Sequence, residues 1–225
     1  ASDVYKRQVK GGVYGRDENN SVGKQGLNGW IFALLTLDTM GYKTPEGAEF
    51  DRERILDEIV SSQNTDGGFS LSKGESDIDI TAMALQAIAP YYNDFSRDDV
   101  RKSVDKAVEY LSGKQDSSGT FGSAEADSQV IIALCSLGID PEADSRFVKN
   151  ADLLTALLSY QNSDGGFSHE KGGDSDELAT GQALCALAAQ KRFELTMRRI
   201  YDMREELSVL QREKLDGING RLSDI

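Results

Sequence analysis

A seven-residue pattern, Gln-x-x-x-Gly-x-Phe, occurs three times, at residues 63–69, 115–121 and 161–167. The copies lie 52 and 46 residues apart. A period of roughly 50 residues holds two helices and two connections, so the chain is constrained to stacked supersecondary units that share a core.

A segment with one apolar stripe precedes each copy. Residues 51–62 carry Ile55, Leu56, Ile59 and Val60, and residues 97–112 carry Val100, Val104, Ala107, Val108 and Leu111. Residues 151–160 carry Leu153, Leu154, Leu157 and Leu158. These spacings predict helices with one buried and one wet face, the second starting on the Ser96 and Asp99 signal. Each copy is followed by a segment that is apolar nearly all round, at residues 80–89, 129–137 and 178–189. A fourth such segment, residues 30–37, lies ahead of the first copy. Helices of that kind are shielded on every side. Thr81, Ser128 and Thr180 fall at one position of these segments, with Leu85, Ile132 and Leu184 four residues on. The alternation predicts buried inner helices backed by amphipathic outer ones. Helix-pair solenoids use shorter periods and more alike helices. Within the repeated turn, Asp-Gly-Gly is expected to end the outer helix, with glycine as left-handed C-cap. Phe69, Phe121 and Phe167 are expected to pack back as plugs, and Gln63, Gln115 and Gln161 to reach unpaired backbone groups at a helix end.

A net charge of -13 argues against a nucleic-acid partner. It argues more softly against holding a polyanion without a metal. No run is long and apolar enough for a membrane span. Cys135 and Cys185 lie in apolar runs and read as small buried hydrophobes, too few for a disulfide framework. The opening ASDVYKRQ lacks an initiator Met and reads as translated adapter sequence, so residues 1–8 are expected to be a non-native leader. Residues 9–193 hold the repeats. Residues 194–225 are expected to form an exposed C-terminal helix or linker, with Met203, Leu207, Leu210 and Leu215 as its stripe.

Gln-x-x-x-Gly-x-Phe resembles the Gln-Trp repeat of squalene and oxidosqualene cyclases, with Phe for Trp. The pattern over residues 28–193 is similar to the prenyltransferase and squalene-cyclase repeat superfamily. This resemblance implies an all-α fold, an α/α toroid of the terpenoid cyclase and protein prenyltransferase kind, incomplete at its N-terminal side. Residues 28–42, 77–94 and the Tyr201-Asp-Met203 run look like secreted Gram-positive bacterial proteins that carry this repeat. Those in turn resemble the cobalamin carriers intrinsic factor and transcobalamin. The implied ligand is cobalamin, a related corrinoid or another bulky small molecule, held near a downstream β domain. The implied location is extracellular or on the cell surface. No cofactor is required by this reading.

The chemistry of the superfamily can be sought residue by residue. Class II cyclases protonate an alkene with the middle Asp of an Asp-x-Asp-Asp-Thr-Ala run. This chain has Asp77-Ile-Asp79-Ile-Thr81-Ala82, with Asp79 at the acid position and Ile80 in place of the adjacent Asp. A plainer reading makes Asp77 and Asp79 helix caps. The prenyltransferase zinc set, an Asp-x-Cys pair with a distant His, is absent, and His169 reads as a solvated loop residue. No Ser–His or Cys–His pairing and no phosphate loop suggests itself. The expected function is therefore a non-catalytic binding or scaffold module of a secreted bacterial protein. An isoprenoid cyclase or prenyltransferase-type enzyme is the alternative. The expected site is the rim leading into the inner helices, with Asp77, Asp79, Thr81, Asp127, Ser128, Glu177 and Thr180 as ligand-binding candidates and no metal.

Overall fold

The structure, a computed structural model, describes residues 22–206 together with Asp216. The expected leader, and Leu207, Leu210 and Leu215, lie outside the described residues. The chain divides into two compact units, Ala1–Ser62 with Tyr201–Ile225, and Gln63–Ile200.

In the first unit, α1 (Leu27–Thr39) packs on α2 (Arg52–Ser61). Leu27, Ile31, Leu34 and Leu37 of α1 are buried, as are Ile55, Leu56 and Ile59 of α2, all at helical spacing. The Asp51 side chain caps α2 by accepting from Arg54 N at 2.8 Å. Arg52 closes the other end of α1, donating to the Leu37 and Tyr42 carbonyls and pairing with Asp38 at 2.8 Å.

In the second unit, α3 (Ile78–Ile88), α5 (Ala124–Leu137) and α7 (Glu177–Glu194) pack in series, α3 on α5 and α5 on α7. These are the inner helices. The outer helix α4 (Asp98–Lys114) packs on α3, and the short outer helix α6 (Leu153–Leu158) on α5. All the described helices run in the predicted order, and no strand forms among the described residues beyond isolated bridges. Each inner helix starts on a side-chain cap: Asp77 accepts from Ile80 N, Ser123 from Ala126 N and Asp176 from Ala179 N. The predicted Ser96 start differs. The Ser96 hydroxyl bonds to Asp94, and α4 begins after Arg97 with no side-chain cap.

Phe69, Phe121 and Phe167 are buried as predicted. Their turn works otherwise than the sequence suggested. The outer helices end before it, and Gly67, Gly119 and Gly165 close separate turns, donating to the carbonyls of Asn64, Asp116 and Asn162. The glutamine then joins two repeats. Gln63 Nε2 donates to the Gly67 and Ser103 carbonyls, both at 2.8 Å. Gln115 Nε2 donates to Gly119 at 2.8 Å and Phe147 at 2.9 Å. Among the described residues the Gln161 side chain bonds only to the Gly165 carbonyl, at 3.3 Å.

This geometry fixes what the glycines are for. Gly119 and Gly165 have φ of 95° and 88°, a left-handed conformation that costs other residues about 1–2 kcal/mol. A Cβ on Gly119 would also sit 2.6 Å from the Ala151 carbonyl oxygen, whereas one on Gly165 meets nothing within 4 Å. Gly165→Ala should therefore cost about 1–2 kcal/mol, and Gly119→Ala a further 1–3 kcal/mol or so for overpacking. Urea unfolding of both variants checks this. Equal costs would show that contact with the neighbouring repeat contributes nothing.

The two cysteines are not both buried. Cys135 is half-buried, and burial pushes its thiol up to about 12. Cys185 is exposed, as are Leu178 and Leu184. The all-round shielding predicted for the apolar segments thus holds for α3 and α5 and fails on α1, where Phe32 is exposed, and along one side of α7, where no described helix covers Leu178, Leu184 and Cys185.

Candidate active site

Asp77 is the N-cap of α3, so Asp79 occupies the second helical position. It makes no capping bond. Its Oδ1 is buried and has no hydrogen-bond partner among the described residues. Burial pushes the Asp79 carboxyl up to about 6, the charges of Asp77 and Glu125 push the same way, and His169 opposes them. At the rim of the inner helices Asp79 is therefore a carboxylic acid below about pH 6.

Glu125 holds the matching position on α5, two residues after its cap Ser123. Its Oε2 lies 2.8 Å from His169 Nδ1. The Glu125 side chain is 13% exposed and that of His169 60% exposed, so the pair connects the rim to water. Glu125 raises the His169 imidazole above its ordinary value, by hydrogen bond first and charge second. The His169 carbonyl accepts from Ala124 N, which ties the loop to the start of α5. His169 is exposed as expected but engaged, and its partner, 44 residues away, leaves no local signal in the sequence. Glu125 could have been found by counting from Ser123 as a cap.

The other expected site residues, Glu177 apart, have local structural partners. Thr81 and Thr180 accept from the backbone N–H of Phe69 and Phe167, both at 2.8 Å, and so hold the plugs. In the middle repeat Asp127, not Ser128, does this. It accepts from Phe121 N at 2.6 Å and from the Thr120 hydroxyl. Ser128 bonds back to the Ala124 carbonyl at 2.6 Å. Glu177 is the exposed first residue of α7, one past the true cap Asp176. The rim thus brings Asp77, Asp79, Glu125 and His169 together. The described residues contain no group of three His, Cys, Asp or Glu side chains placed to hold a metal ion. No described helix is long and apolar enough to cross a membrane.

A model of the prenyltransferase alpha-alpha toroid domain matches residues 4–224. The chain belongs to this family. The all-α toroid fold read from the repeats is thereby established for it. A drimenyl diphosphate synthase of Streptomyces showdoensis is 32% identical over 143 residues, covering 60% of this chain and 26% of that protein. This toroid chain thus aligns with about a quarter of its curated relative's length. Protein geranylgeranyltransferase-I of Candida albicans, solved with GGPP, matches 91% of the chain and 60% of its own at TM-score 0.57 and 18% identity, a likeness of fold alone. These findings correct the expected non-catalytic binding or scaffold module. The curated relative is a diphosphate synthase, so the isoprenoid-enzyme alternative is the better supported reading.

Proposed function

We propose that this toroid supplies the general acid of an isoprenoid cyclase that begins its reaction by protonating a carbon–carbon double bond. The observation that carries the reading is Asp79. It is a largely buried carboxyl with an unpartnered oxygen, held protonated to about pH 6, at the acid position of Asp77-Ile-Asp79-Ile-Thr81-Ala82. An alkene is a poor base, so the donor must reach it as the neutral acid and without competing water. Burial and the neighbouring carboxylates keep the proton on Asp79. The cationic His169 eases its departure by stabilising the carboxylate left behind. Ile80 departs from the Asp-x-Asp-Asp run and leaves His169 and Glu125 as the polar neighbours that tune the acid. The likeness to a drimenyl diphosphate synthase supports an isoprenyl diphosphate as the substrate class.

The test is incubation with isoprenyl diphosphates and with squalene, followed by chromatography for cyclic products. Absence of product from folded protein across that set would sink the reading. Two variants should move its pH profile in opposite directions. The rate falls as pH rises through the pKa of Asp79. Glu125→Gln removes a charge that raises this pKa, so the alkaline limb should move to lower pH. His169→Ala removes the opposing charge, so the limb should move to higher pH. Shifts of the same sign would exclude Asp79 as the titrating donor.

A further inference from the structure

The C-terminal ends of the inner helices, away from the acid, border a cavity of about 420 Å³. Asp79 stands in the first turn of α3, and the cavity begins at Ala89, ten residues and about 15 Å further along. Ala89, Ser136 and Ala189 stand at or near the ends of α3, α5 and α7. The chain after α7 turns back to form the remaining wall. Thr196 makes that turn with φ of 56°, left-handed although it is not glycine. Met197 N donates to the Arg192 carbonyl at 2.9 Å, and Arg192 Nε to the Arg198 carbonyl at 2.8 Å. These bonds hold the returning segment against the helix end.

Arg192, Arg198 and Arg199 line the cavity, and among the described residues no Asp or Glu does. In a chain with 38 acidic and 25 basic residues that is a local reversal of charge. The carboxylates whose charge reaches Cys135 in the wall, Asp140, Glu142 and Glu194, stand outside the lining. Glu142 accepts from Gln190 at 2.7 Å, and Glu194 pairs with Lys191 at 2.8 Å. Capping does not account for the arginines. α3 and α5 have no basic residue in their last turns, and all three arginines come from α7 and the segment after it. Three helix ends carry about half a negative charge each, against three full positive charges, so the balance of the lining is positive. Each guanidinium engages other groups as well, but five N–H donors serve several partners at once. Phe193 and Met197 add apolar surface. The volume lies in the usual range of sites for organic ligands, about 300–1,000 Å³, and exceeds what a bare ion needs.

We infer that this cavity binds a small organic phosphate, its oxyanion on the arginines and its apolar body against Phe193 and Met197. The planar fork of arginine takes phosphate oxygens in pairs, and a doubly charged group with three free oxygens suits several guanidiniums, where a carboxylate fills one. The site is separate from Asp79 and does not depend on the cyclase reading.

The experiment is calorimetric titration of the full chain with phenyl phosphate, inorganic phosphate and phenol. Phenyl phosphate should bind one per chain and about tenfold or more tighter than inorganic phosphate, and phenol should show no binding. Arg199→Gln should weaken phenyl phosphate at least about tenfold. Arg192→Gln also removes the bond that holds the returning segment, so Arg198→Gln is the second variant, with a smaller loss because Arg198 is exposed. Lys191→Gln, next to the lining but outside it, should change affinity by less than about twofold, and Asp79→Asn should leave it unchanged. Equal losses for Lys191→Gln and Arg199→Gln would reduce the effect to diffuse charge. A loss in Asp79→Asn would place the ligand at the acid, and inorganic phosphate binding as tightly as phenyl phosphate would leave a bare-ion site. Each of these, or no binding to the folded chain, overturns the inference and leaves the cyclase reading standing.

Discussion

Asp79→Asn is expected to reduce conversion of an isoprenyl substrate by at least about a thousandfold while leaving the protein folded. The amide matches the carboxyl in size and removes only the acidic proton. A general acid commonly contributes about 10²–10⁴-fold, and an alkene offers no easier route because water is a far weaker donor at this pH. The stability of the same variant provides the control. The wild-type carboxyl resists ionising in its half-buried place, with Asp77 and Glu125 nearby. Its folded pKa is raised, so its contribution to stability is complete below the ordinary carboxylate range and is lost as pH rises through about 6. Above that pH a neutral amide avoids the loss, so Asp79→Asn should unfold at the same or higher temperature than wild type. Product formation within tenfold of wild type would remove Asp79 from the chemistry. Lost activity with a lowered unfolding temperature would mean that the residue is structural.

The repeat architecture was legible because it is written in local terms. Apolar spacing reports which face of a helix is buried, and the aromatic position of each turn returned three buried plugs, Phe69, Phe121 and Phe167. The cap at Asp77 was legible for the same reason. What lay beyond reach depended on loops and distant neighbours. The segment between plug and cap is eight residues long from Phe69 to Asp77 and nine from Phe167 to Asp176, but only two from Phe121 to Ser123. Aligning by apolar pattern across that short link placed Ser128, not Asp127, opposite Thr81 and Thr180. The Glu125–His169 contact joins a helix start to a later loop, and no periodicity encodes it. Leu184 and Cys185 have the composition of core residues, yet burial depends on which neighbour covers them, and hydropathy is silent on neighbours. The glycines of the turns were assigned to helix caps because a left-handed residue serves a cap and a separate turn equally well.

The largest single share of the loss of stability between about pH 4 and 7 should come from Asp127, and Asp127→Thr should remove that share and leave the smaller one of Asp79. In the repeats on either side a threonine hydroxyl accepts from the plug's N–H, a neutral bond that no pH change disturbs. Asp127 puts a fully buried carboxyl in that place. Desolvation pushes it up to about 7, although Phe121 N, the Thr120 hydroxyl and the Lys171 charge all pull the other way. The Thr120 oxygen is also 2.7 Å from the Tyr160 hydroxyl, so the network reaches the end of the next outer segment. The folded protein therefore holds a proton here that the unfolded chain releases near pH 4. Its stabilising effect is complete below about pH 4 and is lost as pH rises through about 7, a change of about 4 kcal/mol at most. Exposed carboxylates with lowered values, such as Asp66, Asp98 and Asp164, lose stability only as the medium becomes strongly acidic, so they act in a different window. The measurement is urea unfolding of wild type and Asp127→Thr at pH 4.5 and pH 8. Threonine gives up the Thr120 contact at both pH values, at a cost of about 1 kcal/mol, but has nothing to ionise. The variant should start level with or slightly below wild type at the lower pH and exceed it by a few kcal/mol at the higher one. Parallel behaviour of the two proteins across that interval would mean that Asp127 is already ionised in the fold, with its two donors and the Lys171 charge outweighing its burial.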